Sequence, residues 1–244
     1  MPRRVTVALL LKLLPAEWKR RLGIHLGAPD LRWSIGQLVR FGFIPRTIMD
    51  VGAFRGEWTR ICLQLFPEAH FTCIEPQDGV QRILKELERR YSNVKVVQAL
   101  LGSHNREDVP FDEMGPGSSV FGSDRRKTGK PMTTIDHLLE SGVCRPPQLL
   151  KLDVQGYEIE ALEGYTIDFD KCEVIQCELS LLPLVPQAPL LDEVTTYLRK
   201  RGFVMFDVEE IIQAPSDGAV WQIDALFCRK DSPLRTKRVW LKKA

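Results

Sequence analysis

Residues 47–76 (TIMDVGAFRGEWTRICLQLFPEAHFTCIEP) constrain the fold of this chain more than any other stretch. They open as a short apolar strand carrying Ile48, Met49 and Val51, then break at Gly52-Ala53-Phe54-Arg55-Gly56. A helix is expected from Glu57 to Phe66, stopped by Pro67. A second strand, Phe71 to Ile74, runs into Glu75 and Pro76. Strand, glycine turn, helix, strand, acid is the order in which open α/β sheets hold the ribose of a nucleotide-like ligand. Gly52 has access to backbone angles closed to other residues and lets the main chain approach a ligand. Glu75 follows the turn by about 20 residues, where a carboxylate accepts hydrogen bonds from both ribose hydroxyls and repels a 2′-phosphate.

The turn does not suit a dinucleotide. A pyrophosphate cradle needs G-x-G-x-x-G, so that bare amides reach the phosphates. Gly52 and Gly56 are instead four apart, and Asp50 is expected at the mouth of the turn, where it would repel phosphate. S-adenosylmethionine has no phosphate and carries an ammonium and a sulfonium, so an acid beside the turn suits it. Asp50, Gly52, Ala53, Phe54, Gly56, Glu75 and Pro76 are therefore expected to hold that cofactor. The plain alternative is an α/β domain in which Gly52 only turns the chain.

A chain of 244 residues is long enough for one large core with a small extension. Hydrophobic content of 44% and charged content of 27% are those of an ordinary globular protein. The net charge of +2 implies no bulk attraction to nucleic acid. The six cysteines form no C-x-x-C pair, and Cys73, Cys177 and Cys228 sit in apolar runs where cysteine acts as a small hydrophobe. A reducing, cytoplasmic setting is expected. No apolar run reaches the length needed to span a bilayer.

Near the amino terminus, Lys12 interrupts the apolar run and no A-x-A site follows, which argues against a signal peptide. Residues 5–21 form an amphipathic stripe that either packs on the domain or a second subunit, or rests on a membrane surface. Asp30 is expected to cap a second helix from Leu31 to Phe41. The chain thus divides into a helical extension over 1–45, a core domain over 46–230 and a basic tail over 231–244 that is expected to be frayed and solvated.

Beyond Glu75 a helix is expected from Gly79 to Arg90 and a third strand from Lys95 to Leu101, with Gln98 and Ala99 at the adenine edge. Residues 102–132 are rich in glycine and proline around two short strand-like pieces, 109–111 and 119–121, and read as a functional loop or lid. Ser118 and Ser119 are its candidate ligand contacts; turn formation is their plainer role. Arg125, Arg126, Lys127 and Lys130 are either a solvated rim or a seat for an anionic substrate. His137, in a short helix begun by Thr134, is expected at the surface.

Gln148 to Gly164 is the second informative stretch. Leu149, Leu150 and Leu152 form a buried strand ending on Asp153, and Gly156 turns the chain into a helix. In a doubly wound sheet this strand lies beside the first, which sets Asp153 across the crevice from Gly52. Cys172 to Leu179 is a further strand, and Glu178 ends it on the same rim. Helix 190–200 follows, with Gly202 at its end. Phe203 to Val208 and Trp221 to Arg229 are then expected to pair antiparallel, because no helix fits between them. A dinucleotide fold would continue strand–helix–strand here.

Taken together, DVGAFRGEWT (50–59), IEP (74–76), ALLGS (99–103), GSSVF (117–121), TTID (133–136), LLKLDVQGYEIEALEG (149–164) and CELS (177–180) resemble the FkbM-type methyltransferase family. The resemblance implies a Rossmann-like class I methyltransferase: a seven-stranded, mostly parallel sheet with an antiparallel edge strand. It also implies methyl transfer from S-adenosylmethionine to a hydroxyl of a sugar or other small molecule. Two positions depart from the family pattern: Phe54 stands where Asn is common, and Gln155 where Glu is common. Gln is a poorer ligand than a carboxylate, so no metal site is expected around Asp153. Asp153 is the first candidate for a base acting on the acceptor and Glu178 the second; the alternative role for both is to hold substrate or the cofactor's cationic end. A non-catalytic S-adenosylmethionine-binding module and an NAD-dependent oxidoreductase are the competing functions.

Overall fold

The computed structural model describes residues 15, 18, 30–113, 115–121, 127–183, 187–214 and 216–237. The amphipathic stripe of residues 5–21 and the cations Arg125 and Arg126 lie outside the described residues, apart from Pro15 and Trp18.

Helix α1 (Leu31–Arg40) is capped by Asp30, whose Oδ1 accepts from the Trp33 amide at 2.8 Å. Then come β1 (Thr47–Val51), α2 (Glu57–Leu65), β2 (His70–Ile74), α3 (Gln81–Arg90) and β3 (Val94–Val97). The chain next builds β4 (Leu100–Leu101), β5 (Arg106–Asp112) and β6 (Lys127–Thr133) before α4 (Ile135–Glu140), β7 (Leu149–Leu152) and α5 (Glu158–Glu163). It closes with β8 (Val174–Ser180), α6 (Leu191–Lys200), β9 (Phe203–Gln213), β10 (Val220–Arg229) and α7 (Pro233–Thr236).

The main sheet has seven strands in the order β3-β2-β1-β7-β8-β10-β9, all parallel except β10. This is the mixed α/β architecture expected, with one difference: the antiparallel strand expected at the edge is β10, one place in, and the edge strand β9 runs parallel to the rest. Pleating sends successive side chains to opposite faces. Ile48, Phe71, Leu149 and Val174 meet helix residues Ile35, Leu38, Cys62 and Leu84 on one face. On the other, Met49, Ile74, Leu150 and Ile175 meet Leu138, Leu162 and Leu198. Strands buried on both faces read as near-continuous apolar runs, and LLKL and VIQCEL do so.

Two expectations need correction. The third strand is not continuous from Lys95 to Leu101: it stops at Val97, and after Gln98 and Ala99 the chain leaves for a second sheet of order β4-β6-β5. Residues 102–132, expected as a loop or lid around strand-like pieces 109–111 and 119–121, carry a small sheet: 109–111 fall within β5, whereas Ser119 makes an isolated bridge to Asp112. In the tail, residues 231–237 are not frayed, since Leu234 is buried in the same core as Ile35 and Leu226. An apolar residue two positions into α7 was the signal.

At Gly52 the register decides the residue. β1 pairs with β2 and β7 so that Val51 stands between Ile74 and Leu152. The next residue, Gly52, therefore meets the backbone of Asp153, and a Cβ there would lie 1.9 Å from the Asp153 carbonyl oxygen. Its φ of +75° also disfavours any side chain. Gly52→Ala is expected to cost about 3 kcal/mol in urea unfolding. A cost below about 1 kcal/mol would mean that β1 and β7 separate easily at this end.

Candidate active site

Gly52, Ala53, Phe54, Glu75, Pro76, Ala99, Ser118, Asp153 and Glu178 line one cavity of about 340 Å³ at the carboxyl ends of the parallel strands. That is where open α/β sheets bind ligands, and the volume lies within the range of small-molecule sites. Ile74, Ala99, Leu100, Leu101, Phe111 and Val120 make its apolar end, Phe111 reaching in from β5 and Val120 from the segment between β5 and β6.

The second sheet is fastened over the cavity. Lys130 Nζ lies 2.9 Å from Asp78 Oδ2 and 2.8 Å from Glu113 Oε1. Gln77 Nε2 donates to the Gly115 carbonyl at 3.2 Å, and Ser119 Oγ to the Gln155 carbonyl at 3.0 Å. Lys130 is thus committed to two carboxylates, which removes it from an anionic-substrate seat.

Glu75 is nearly fully buried. Its Oε2 accepts from the Phe54 amide at 2.8 Å and its Oε1 from the Gln77 amide at 3.0 Å. Burial raises its carboxyl from the usual range, and these two amides oppose the rise. Phe54 makes its bond from a left-handed backbone, φ 45°, a conformation Asn tolerates better than Phe. The Arg55 guanidinium lies 5.2 Å above the Phe54 ring.

Four of the expected contacts do not face the cavity. Asp50 is fully buried beneath the turn, where its Oδ2 accepts from Thr59 Oγ1 at 2.5 Å and its Oδ1 is ion-paired with Lys151 Nζ at 3.1 Å. It compensates a lysine rather than guarding the mouth. Gly56 begins α2 against Leu84 and Leu87 of α3, a Cβ there lying 2.9 Å from Leu87 Cδ2. Gln98 turns outward, its Nε2 donating to Asp78 Oδ1 at 2.6 Å. Ser119 ties the second sheet to residue 155, as above. His137 is exposed and its amide donates to Thr134 Oγ1 at 3.0 Å, away from the cavity, as expected of a surface residue.

The polar end of the cavity holds Lys151, Asp153, Gln155, Gln176, Glu178 and Asp224. Lys151 Nζ lies 3.2 Å from Asp153 Oδ2 and donates to the Gly52 carbonyl at 3.1 Å, besides pairing with Asp50. Its carboxylate partners hold its ammonium well above the usual lysine range against the pull of burial. Gln155, at φ 53°, donates from Nε2 to Asp153 Oδ1 at 3.1 Å and to Glu178 Oε2 at 2.7 Å. A Glu in its place would set three carboxylates together; the amide instead bridges two. Burial first, and then the charges of Asp153 and Asp224, push the Glu178 carboxyl up to about 9. Asp224 is pushed up to about 7 by burial and by Asp153. Behind them, Glu209 is fully buried with no hydrogen-bond partner for either oxygen among the described residues, and burial raises it well above the carboxylate range. Trp58 Nε1 donates to Gln176 Oε1 at 2.6 Å in the cavity floor.

Lys151, Gln176 and Asp224 escaped the sequence reading, as did the cavity-lining Trp58 and Tyr157. A signal existed for the first three: each is a polar residue inside an apolar strand that the doubly wound sheet buries. Among the described residues no group of three or more His, Cys, Asp or Glu is arranged to hold a metal ion.

The methyltransferase FkbM domain matches residues 50–205. The chain belongs to the FkbM methyltransferase family. The hexuronic acid methyltransferase AglP of Haloferax volcanii is 28% identical over 170 residues, which cover 65% of this chain and 69% of that protein. The crystal structure of the methyltransferase FkbM from Methylobacillus flagellatus KT superposes with a TM-score of 0.50 at 17% identity, covering 74% of this chain and 43% of that one. The chain thus spans less than half of that solved protein. A putative RNA methyltransferase of Pyrococcus horikoshii, PH1948, superposes with a TM-score of 0.45 at 16% identity, covering 94% and 97% of the two chains.

Proposed function

We propose that this FkbM-family protein transfers a methyl group from S-adenosylmethionine to a hydroxyl of a sugar or similar small molecule. The observation that carries the reading is the convergence of Gly52, Glu75 and Asp153 on one cavity. Glu75 then faces the ribose hydroxyls, with the backbone at residues 98–99 left to meet the adenine because the Gln98 side chain turns away. The apolar end takes the adenine ring, and the acid-lined end takes the sulfonium and the acceptor.

When bound, S-adenosylmethionine supplies a methyl carbon already activated by its sulfonium, so the chain's own residues mainly position the acceptor and exclude water. An alcohol becomes a competent nucleophile as its proton leaves, and that requires an acceptor group within hydrogen-bond reach. Asp153 fits this role. Lys151 and Gln155 each hold one of its oxygens, its side chain is 37% exposed, and it lines the cavity. Glu178, its carboxyl pushed up to about 9 by burial and by its acidic neighbours, lines the same end of the cavity beside Asp153. The acids crowded at this end, Asp153, Glu178 and Asp224, favour a neutral hydroxyl over a carboxylate as the acceptor. A sugar acceptor accords with the name of the Haloferax relative. A nucleic-acid partner is not expected from a net charge of +2. Among the described residues no helix is long and apolar enough to cross a membrane, and all six cysteines are unpaired; a cytoplasmic site of action accords with the latter.

Calorimetric titration of S-adenosylmethionine and NAD, on the wild type and on Glu75→Ala, tests the reading. Only the sulfonium compound is expected to bind, and the substitution to weaken it by about 1.5–3 kcal/mol, as for hydrogen bonds to a charged group. NAD binding in place of S-adenosylmethionine would overturn the proposal.

A further inference from the structure

Glu178 and Asp224 stand directly opposite one another on the antiparallel strands β8 and β10, and Asp224 stands opposite Glu210 on β9. Like charges in such cross-strand positions repel. Asp153 adds a further carboxylate at the same rim, joined to Glu178 through the Gln155 amide. Glu158 closes the group from α5, fully buried, its Oε1 accepting from the Val154 and Gly156 amides. Glu209 lies behind on β9, with Asp207 nearby. The cation among these groups is Lys151, and its ammonium is already divided between Asp50 and Asp153. So many carboxyls around one ammonium cannot all ionise together.

We infer that Glu178 and Asp224 form a cation-sensing seat: they retain a proton beside a neutral ligand and release it when a sulfonium enters, so that they set the preference for methyl donor over demethylated product. The inference rests on the reading above, that S-adenosylmethionine occupies this cavity with its reactive end toward Asp153. S-adenosylmethionine and S-adenosylhomocysteine differ by one methyl group and one positive charge. Shape therefore separates them weakly, and a proton-linked acid pair separates them by charge. Loss of the sulfonium on methyl transfer lets the pair take back a proton, which weakens the hold on the product side. The Glu178 carboxyl near 9 and the Asp224 carboxyl near 7 lie in the range where such an exchange occurs at neutral pH.

A ligand that favours the ionised pair releases protons, so its affinity rises with pH, whereas a neutral ligand shows no such rise. Titration calorimetry of the full chain, repeated in two buffers of different ionisation enthalpy, counts the protons. S-adenosylmethionine is expected to release up to about one proton more than S-adenosylhomocysteine. The ratio of their affinities is then expected to rise by up to about tenfold per pH unit between about pH 6 and pH 8. Asp224→Asn and Glu178→Gln are each expected to reduce the difference in proton count to about half or less. Equal proton counts for the two ligands on the wild-type protein would overturn the inference while leaving the cofactor reading intact. Failure of both ligands to bind would overturn the two together.

Discussion

Lys151→Met is expected to lower stability in urea unfolding by about 3–5 kcal/mol, the cost of stripping the partner from a buried charge. Lys151 and Asp50 are both buried at the centre of the sheet, with Nζ and Oδ1 3.1 Å apart. Removing the ammonium leaves Asp50 with Thr59 Oγ1 as its hydrogen-bond donor. It also deprives Asp153, Glu178 and Asp224 of the positive charge that opposes their mutual repulsion. The double variant Asp50→Asn, Lys151→Met is expected to regain about half of the loss or more, because the uncompensated charge is gone. If the single variant costs under about 1 kcal/mol, water must reach Asp50 and the site is wetter than its burial implies.

Asp153→Asn is expected to slow methyl transfer by about 10²–10⁴-fold, the usual contribution of a positioned base. The substitution preserves shape, and Asn Oδ1 still accepts from Gln155, so product binding should change little. Formation of S-adenosylhomocysteine is measured with a panel of hexoses and hexuronic acids as acceptors. A loss of less than about tenfold in the presence of a working acceptor would move the proton-accepting role to Asp224 or remove the need for a base. Glu178→Gln separates the neighbouring roles: the amide keeps an oxygen that accepts from Gln155 and removes only the ionisable proton, so that variant should retain far more activity than Asp153→Asn.

How much of this was legible beforehand differs by element. β1, β2 and β7 were readable because each is a short apolar run bounded by a glycine, a proline or an acid, and because a doubly wound sheet leaves few ways to arrange them. The carboxyl ends of those strands then bring Gly52, Glu75 and Asp153 together. The third strand was misjudged because apolar content continues from Val94 through Leu101. Local sequence does not record that Gln98 and Ala99 are where the chain changes sheets. Asp50 was misplaced by period: residues alternate along a strand, and no sequence pattern in a run buried on both faces tells which face a lone acid takes.

The sequence alone determined the order of most elements of the main sheet, the antiparallel pairing of the last two strands and the turn at Gly52, since these follow from chain-local periodicity and from the backbone angles that each residue allows. Only the tertiary structure decided which charges meet. Lys151 pairs with Asp50 across neighbouring strands, Gln155 spans Asp153 and Glu178, and Asp224 arrives opposite Glu178 from more than 40 residues further along the chain. Those contacts depend on strand register and on how many buried carboxyls one ammonium can offset. Both are properties of the assembled sheet, because the cost of a charge is set by what surrounds it in space.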